Sequence, residues 1–318
     1  MTTTFTDRRA SALNHMPLPV LEAAMVLTWS SGFVGMRFSA DYAPVYLVML
    51  WRFVVLSIGL FPFVAREIRH AGRPVLVRQA CIGTLAMAGY LAGVAGGIQH
   101  GVPAGLAALI ADLLPVGVVL MSACLFNQRS PSIVWAGLGL GLAGTLTVCR
   151  DAVSLGAAPA WAYALPVAGM LSLAAATVWQ QRSARQGKLS PLGMLWLQSF
   201  VSSPIFLVLQ ASQGPVAPIP SVGFAASVAW TAILATLGGC GLYWACLQRS
   251  SSARVTSVLF LSPPVTMVWA WAMFREPLSW LMVVGTVISG VGILLLINRG
   301  SGEARERALA CKGSRRPG

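Results

Sequence analysis

Few side chains in this sequence are able to do chemistry, and three of them stand inside long apolar runs. They are Asp112 in GVPAGLAALIADLLPVGVVLMSACLF, Arg52 in PVYLVMLWRFVVLSIGLFPFVA and Glu22 in LPVLEAAMVLTWSSGFVGMRFSA. A charge at the centre of a helix in lipid costs about 2.5–3.5 kcal/mol on insertion scales, so each is a functional hypothesis by default. Asp112 lies three residues before Pro115, beside helix that a missing N–H opens. Arg52 is its natural counter-ion, and the pair reads either as structural or as a site for solute or proton. Glu22 shares a helical face with Val26, Trp29 and Phe33, because spacings of four, seven and eleven return to nearly the same direction. On that face it either exchanges a proton for solute or, being close to the helix end, reaches headgroups and water.

The aromatic side chains Trp29, Trp179, Tyr90, Tyr243 and Trp244 suit two roles. They can wall a cavity for apolar or cationic parts of a small solute, or they can sit in interfacial belts. The histidines, His15, His70 and His100, fall outside the centres of the apolar runs, and the six cysteines contain no C-x-x-C pair. Neither a metal centre nor a catalytic constellation assembles from neighbours in sequence, and no cofactor is expected. No G-x-x-x-x-G-K-[ST] loop is present, which disfavours ATP-driven pumping.

The elements that must position these residues follow from composition. Hydrophobic residues make up 56% of the chain and charged ones 10%, too few to coat a soluble surface of 318 residues. Windows of about 20 apolar residues recur, each long enough to span a bilayer as a helix. They lie near Leu18–Ala40, Pro44–Ala65, Gln79–Gln99, Val102–Phe126, Pro131–Cys149, Ala160–Gln181, Pro191–Gln210, Val222–Gln248, Val255–Phe274 and Ser279–Asn298. Continuous rather than alternating apolar runs predict helices and not a barrel. The expected architecture is an all-α integral membrane protein of ten transmembrane helices.

A formal net charge of +13 would suggest a nucleic-acid partner in a soluble protein. Here its distribution gives another reading. With the N-terminus cytoplasmic, the basic residues gather in alternate connections, at Arg66 to Arg78, Arg129, Arg182 to Lys188 and Arg249 to Arg254, and in the tail from Arg299. The opposite side carries only Arg150 and Arg275. This is the positive-inside pattern, with both termini cytoplasmic, and nucleic acid is not expected as a partner.

The chain also repeats itself. At one constant offset Pro115 falls on Pro263, Gly93 on Gly241, Gly137 on Gly285, Gly144 on Gly292 and Gln128 on Glu276, while a slightly longer offset places Trp29 on Trp179. Each half holds five spans, an odd number, so two such halves insert with opposite orientation. Inverted repeats suit alternating access, although duplication also serves simply to enlarge a bundle. The predicted organisation is a tail at 1–17, a first five-helix repeat at 18–149, a linker at 150–159, a second repeat at 160–298 and a basic tail at 299–318. Pro115 and Pro263 are expected to bend spans four and nine. Gly89, Gly93 and Gly97, four apart, are expected to serve helix packing.

Three segments carry a resemblance: WSSGFVGMRFSADYAPVYLVMLWRF, GVPAGLAALIADLLPVGVVLMSACLFNQRSPSIVWAGLGLGLAGTLTV, and VTSVLFLSPPVTMVWAWAMFREPLSWLMVVGTVISGVGILLL. In order and duplication they resemble the drug/metabolite transporter superfamily, in particular its ten-helix members with two EamA domains. The resemblance implies a multi-pass inner-membrane carrier of a small solute, commonly an amino acid or related compound. It also implies that spans one, three, six and eight face a central path, which Trp29, Trp179, Tyr90, Tyr243 and Trp244 would line. The sequence departs from the family where Gln128 stands at the acidic position kept as Glu276, and Glu276 is expected to cap a helix or pair with Arg275. Multidrug or lipophilic-cation efflux is the alternative within transport, and a membrane sensor or enzyme the alternative outside it. Protons are a candidate partner, and monomer and homodimer both stay open.

Overall fold

In the computed structural model, the described residues are 16–126, 158–183, 189–249, 261–276 and 278–288, with isolated positions in 135–147, 255–259 and 290–291. Proline and serine set the starts of the helices. Pro17 precedes α1 (Leu18–Ala40), Pro44 precedes α2 (Val45–His70), and Pro74 lies in the first turn of α3 (Arg73–Gly83). A proline there sacrifices an N–H that would have had no helical partner. A π-helical segment (Thr84–Gly89) joins α3 to α4 (Tyr90–Gln99), so the three form one continuous rod. Pro103 opens α5 (Ala104–Ala111), and after a turn at Asp112 and Leu113 the chain continues as α6 (Leu114–Phe126).

A 3-10 turn (Ala160–Tyr163) leads into α7 (Ala164–Arg182). The Ser190 hydroxyl accepts the Gly193 N–H and caps α8 (Pro191–Ala211); the Ser221 hydroxyl accepts the Phe224 N–H and caps α9 (Val222–Ala229). A second π-helical segment (Trp230–Gly238) connects α9 to α10 (Gly239–Arg249), and α11 (Ser262–Phe274) follows the turn at Leu261.

Seven helices among the described residues are long and apolar enough to cross a membrane. The windows at Pro131–Cys149, Val255–Phe274 and Ser279–Asn298 include positions outside the described residues. Two helices exceed their apolar windows: α2 runs on to His70, and the α3 rod starts at Arg73 rather than Gln79. An apolar window measures bilayer thickness, whereas the backbone ladder continues into polar surroundings until a turn stops it. Here only Ala71 and Gly72 separate the two helices, so Arg73 and Arg78 are helical residues and not loop residues.

The elements meet end to end in two groups. At the Ala40 end, Gln99 donates to Gln213 at 3.2 Å and the His100 ring meets the Trp161 ring at 4.7 Å. Arg37 pairs there with Asp41 at 2.6 Å and with Glu276 at 3.5 Å. At the His70 end, the Ser190 hydroxyl donates to Glu67 at 2.6 Å, and Arg249 donates to the Met16 carbonyl at 2.8 Å. Glu276 also accepts the Ala104 N–H at 3.2 Å, so it caps α5 and its ion partner is Arg37 rather than the expected Arg275. The reason is local: Arg275 takes φ 57°, ending α11 in the left-handed conformation. Burial raises the Glu276 carboxyl above its ordinary range, against the opposing influence of Arg37 and the Ala104 N–H.

The two halves touch through close helix pairs. α2 packs along α8 more extensively than any other pair. Phe53 and Tyr46 meet Phe206 at 5.5 and 6.0 Å between ring centroids, and the Trp196 indole N–H donates to the Ser57 carbonyl at 2.8 Å. The glycine stripe faces α7: a methyl at Gly93 would come within 2.4 Å of the Leu165 carbonyl oxygen and 2.8 Å of the Gly169 Cα. Gly89 and Gly97 abut Ser172 and Pro166 of the same helix. Small residues at these positions let the backbones touch, which is the source of helix adhesion in lipid.

Gly93→Val should therefore destabilise the protein by about 1–3 kcal/mol or more, the usual range for overpacking. Gly59→Ala, where nothing stands within 4 Å of a new methyl, should be nearly neutral. Thermal unfolding of both purified variants in detergent checks the contrast.

Candidate functional site

Irregular backbone is expensive in lipid unless it lines a cavity or is buried in protein, so the departures from α-helix are the place to look. They come in matched pairs. The Leu113 N–H donates to the Ile110 carbonyl and the Gly117 N–H to the Leu113 carbonyl; Leu261 N–H to Val258 and Val265 N–H to Leu261 repeat both bonds at the offset that carries Pro115 onto Pro263. The turns precede each proline by two residues, so Pro115 and Pro263 stand in the first turn of α6 and α11 rather than within an unbroken helix. The same offset carries the π-helical segment Thr84–Gly89 into Trp230–Gly238. Within the second, the Thr236 hydroxyl donates to the carbonyl of Thr231, five residues back, at 2.8 Å. Single π turns inside α-helices are frequent at functional sites.

Both π-helical segments border one central cavity of about 210 Å³. Ala86 and Met87 come from the first and Ala235 and Thr236 from the second. α1 supplies Trp29, Gly32, Phe33 and Met36, and α4 supplies Tyr90 and Leu91. Arg52 of α2, Leu173 of α7 and Gln198 of α8 complete the wall. Larger grooves lie beside α11 and beside α9, of about 420 and 720 Å³. All three walls are mostly carbon, and the central one is set apart by an arginine, a tyrosine and a glutamine among its lining residues.

The sequence-nominated residues fall into distinct groups. Trp29, Arg52 and Tyr90 line the cavity together. Arg52 is only 4% exposed; its Nη1 lies 3.5 Å from Met49 Sδ, and its guanidinium stands 5.2 Å from the Phe53 ring centroid. Tyr90 is within electrostatic reach of both Asp112 and Arg52. Asp112 sits at the turn between α5 and α6, and its Oδ2 is buried without a hydrogen-bond partner. Neither of the two ion pairs of Arg37 includes Asp112.

Tyr243 packs against Trp29 with ring centroids 5.8 Å apart. Trp179 is 41% exposed and is absent from the cavity wall. The Trp244 side chain lies outside the described residues. Glu22 is 5% exposed and sits beside the small cluster of Leu21, Met25, Val26, Cys246 and Val255. Sequence reasoning passed over Gln198, the lone amide in mid-span of PLGMLWLQSFVSSPIFLVLQ, and over the π-helical segments, the first bracketed by Gly83 and Gly89 and the second ending at Gly238 and Gly239.

Toward the Ala40 end of α1, Trp230 of the second π-helical segment packs between α1 and α11. The Trp230 indole N–H donates to the Ser31 carbonyl at 3.0 Å, and its ring stacks on Phe38 at 5.7 Å and meets Trp269 at 5.9 Å. A methyl at Gly35 would approach Trp230 to 2.8 Å.

The family model described as "EamA-like transporter family" matches residues 20–150 and again 160–298, nearly the whole chain in two copies. The chain belongs to this family. It is thus a membrane transporter built from two repeats. This EamA-like transporter is 29% identical over 294 residues to a "Probable terminal-alkyne amino-acid exporter" of Streptantibioticus cattleyicolor, covering 88% of this chain and 93% of that one. It is 24% identical over 288 residues to a "Probable amino-acid metabolite efflux pump" of Escherichia coli K12, covering 87% and 93%. An "Uncharacterized inner membrane transporter YedA" of the same organism is 24% identical over 289 residues, covering 88% and 91%. A solved crystal structure aligns with a TM-score of 0.59 at 19% identity over 89% of this chain and 98% of that one, a likeness of fold alone.

A bulky side chain in the cavity wall of the EamA-like transporter should obstruct its path. Ala86→Trp is expected to reduce flux at least tenfold while leaving the gel-filtration profile unchanged. Ile58→Trp, on a residue 70% exposed on α2, should leave flux intact. Reconstituted proteoliposomes measure both.

Proposed function

We propose that this protein is a secondary transporter of the cell inner membrane that exports a small metabolite, an amino acid or related compound. Two oppositely oriented five-helix halves alternate access to the central cavity, with both termini cytoplasmic. The observation that carries this reading is the composition of the cavity wall. It draws on α1, α2 and the α3–α4 rod in the first half and on α7, α8 and the α9–α10 rod in the second, with a π-helical segment at the same place in each. A site built between equivalent elements is where two rocking halves expose a solute first to one side and then to the other.

Support for opposite orientation comes from the grouping of helix ends. α1 finishes at the Ala40 end, where Arg37 meets Glu276, while the equivalent α7 begins at the Trp161–His100 contact of that same end. The ion pair of Arg37, the Glu276 cap on α5 and the Trp230 stack join elements of both halves there, and an outward-facing state would have to part them. Support for export of an amino-acid-like solute comes from the names of two relatives. A drug-sized ligand fills a pocket of roughly 300–1,000 Å³. The cavity of about 210 Å³ suits a smaller solute and weighs against multidrug efflux.

Proton coupling is assigned to Asp112, whose buried Oδ2 lacks a hydrogen-bond partner beside a break in the helix, with Glu22 as second candidate. An intramembrane carboxyl of this kind is a natural proton carrier. In proteoliposomes holding a panel of radiolabelled amino acids, the wild-type protein should show saturable flux that a pH gradient accelerates. Asp112→Asn should retain exchange at equal pH but lose the acceleration. Acceleration undiminished in Asp112→Asn and in Glu22→Gln would remove proton coupling through either acid, and flux of lipophilic cations without any amino acid flux would favour the efflux alternative.

A further inference from the structure

Glycine in the interior of a helix is less stabilising than alanine, because it has more backbone freedom to lose on folding. α1 carries two glycines, Gly32 and Gly35. Packing accounts for the second: a methyl there would come within 2.8 Å of the Trp230 ring and 3.3 Å of Thr231. Gly32 has no such reason. Outside its own helical turn, a methyl on Gly32 would meet one atom within 4 Å, the Ala235 Cβ at 3.6 Å, which is ordinary van der Waals contact. Nor does the backbone call for glycine there, since the positive φ angles among the described residues are those of Gly101 and Arg275. The open space beside Gly32 is the central cavity, whose wall includes both Gly32 and Ala235.

Trp29, Gly32, Phe33 and Met36 follow one another at helical spacing on one face of α1, and all four line the cavity. Three are bulky, so Gly32 is a gap in a crowded face, bordered by Ala235 of the second π-helical segment. We propose that Gly32 is a specificity-determining residue: the notch it leaves receives the apolar group of the transported solute and limits the length of that group. The proposal rests on the transporter reading and adds a size limit to it. Two aromatic rings, a thioether and a methyl border the notch, surroundings that favour hydrocarbon over a polar substituent. In an apolar pocket one methylene too many is worth roughly tenfold or more between homologous solutes, so a single methyl added at Gly32 is enough to move the limit.

The test follows counterflow in proteoliposomes of the full chain with unbranched amino acids, from alanine through 2-aminobutyrate and norvaline to norleucine, each one methylene longer than the last. Gly32→Ala should lower flux of the longest homologue that the wild type carries by roughly tenfold, while alanine flux stays within about threefold. Gly32→Val should move the cut-off to a shorter homologue still. Thermal unfolding in detergent separates this role from packing. Gly32→Ala, a better helix former with room for its methyl, should unfold at or above the wild-type temperature, whereas Gly35→Ala should unfold below it. Circular dichroism and gel filtration identify a variant that fails to fold, and Gly32→Ala decides the matter where Gly32→Val does so.

A Gly32→Ala protein whose homologue profile matches the wild type, or in which every homologue falls alike, overturns the size limit and leaves the transporter reading standing. A lowered unfolding temperature for Gly32→Ala assigns Gly32 to helix packing and overturns the size limit too. A wild-type protein that moves none of the series counts against the size limit and the amino-acid reading together.

Discussion

Inside a bilayer no water is at hand to satisfy a backbone N–H or carbonyl, so each interruption of a spanning helix must be compensated by its neighbours. The rest of this structure depends on that constraint. The described part of the chain interrupts its ladders at the turn of Asp112 and Leu113, at the turn of Leu261 and at two π-helical segments. The two turns share hydrogen bonds at one spacing along the chain, and the π-helical segments share that spacing too. Both π-helical segments border the cavity, and the first turn carries Asp112, within electrostatic reach of Tyr90 in its wall. The irregular backbone at Asp112 and at the two π-helical segments thus lies next to the cavity, whereas the turn at Leu261 borders the groove beside α11.

Close packing makes this arrangement rigid enough to hold. With lipid tails as apolar as leucine, helices adhere through backbone proximity rather than through the hydrophobic effect. Gly93 and Gly169 bring α4 and α7 into backbone contact, and Phe53, Tyr46 and Phe206 interlock α2 with α8. Both pairs join one half to the other. Polar contacts then latch the ends: Glu67 with Ser190 at the His70 end, Arg37 with Glu276 and the Ala104 N–H at the Ala40 end. The cavity has a wall that is mostly apolar, with Arg52, Tyr90 and Gln198 among its lining residues.

The membrane-spanning helices were legible in the sequence because apolar runs of that length have one stable form in lipid, and the start of α1 at Leu18 coincides with its apolar window. Proline placed the other starts where a missing N–H does least harm, as at Pro44 and Pro74. The helix ends were less legible. Arg73 and His70 belong to helices because hydrogen bonding runs past the apolar layer, which a hydropathy window does not register.

By itself the sequence determined membrane residence, duplication and the shortlist of costly charges, since each rests on local composition or on comparison of the chain with itself. Only the tertiary structure decided which of those charges share a space. Arg52 and Tyr90 stand in one wall with Trp29, whereas Trp179, its repeat partner, is absent from that wall and 41% exposed. Glu276 found Arg37 and the Ala104 N–H, distant in sequence, instead of adjacent Arg275, because Arg275 itself takes the left-handed conformation and turns the chain there. Gln198 carried no charge to attract notice and became a cavity residue through the packing of α8 along α2. Helix identity is a property of short stretches, but the direction a side chain faces across a bundle depends on every helix packed around it.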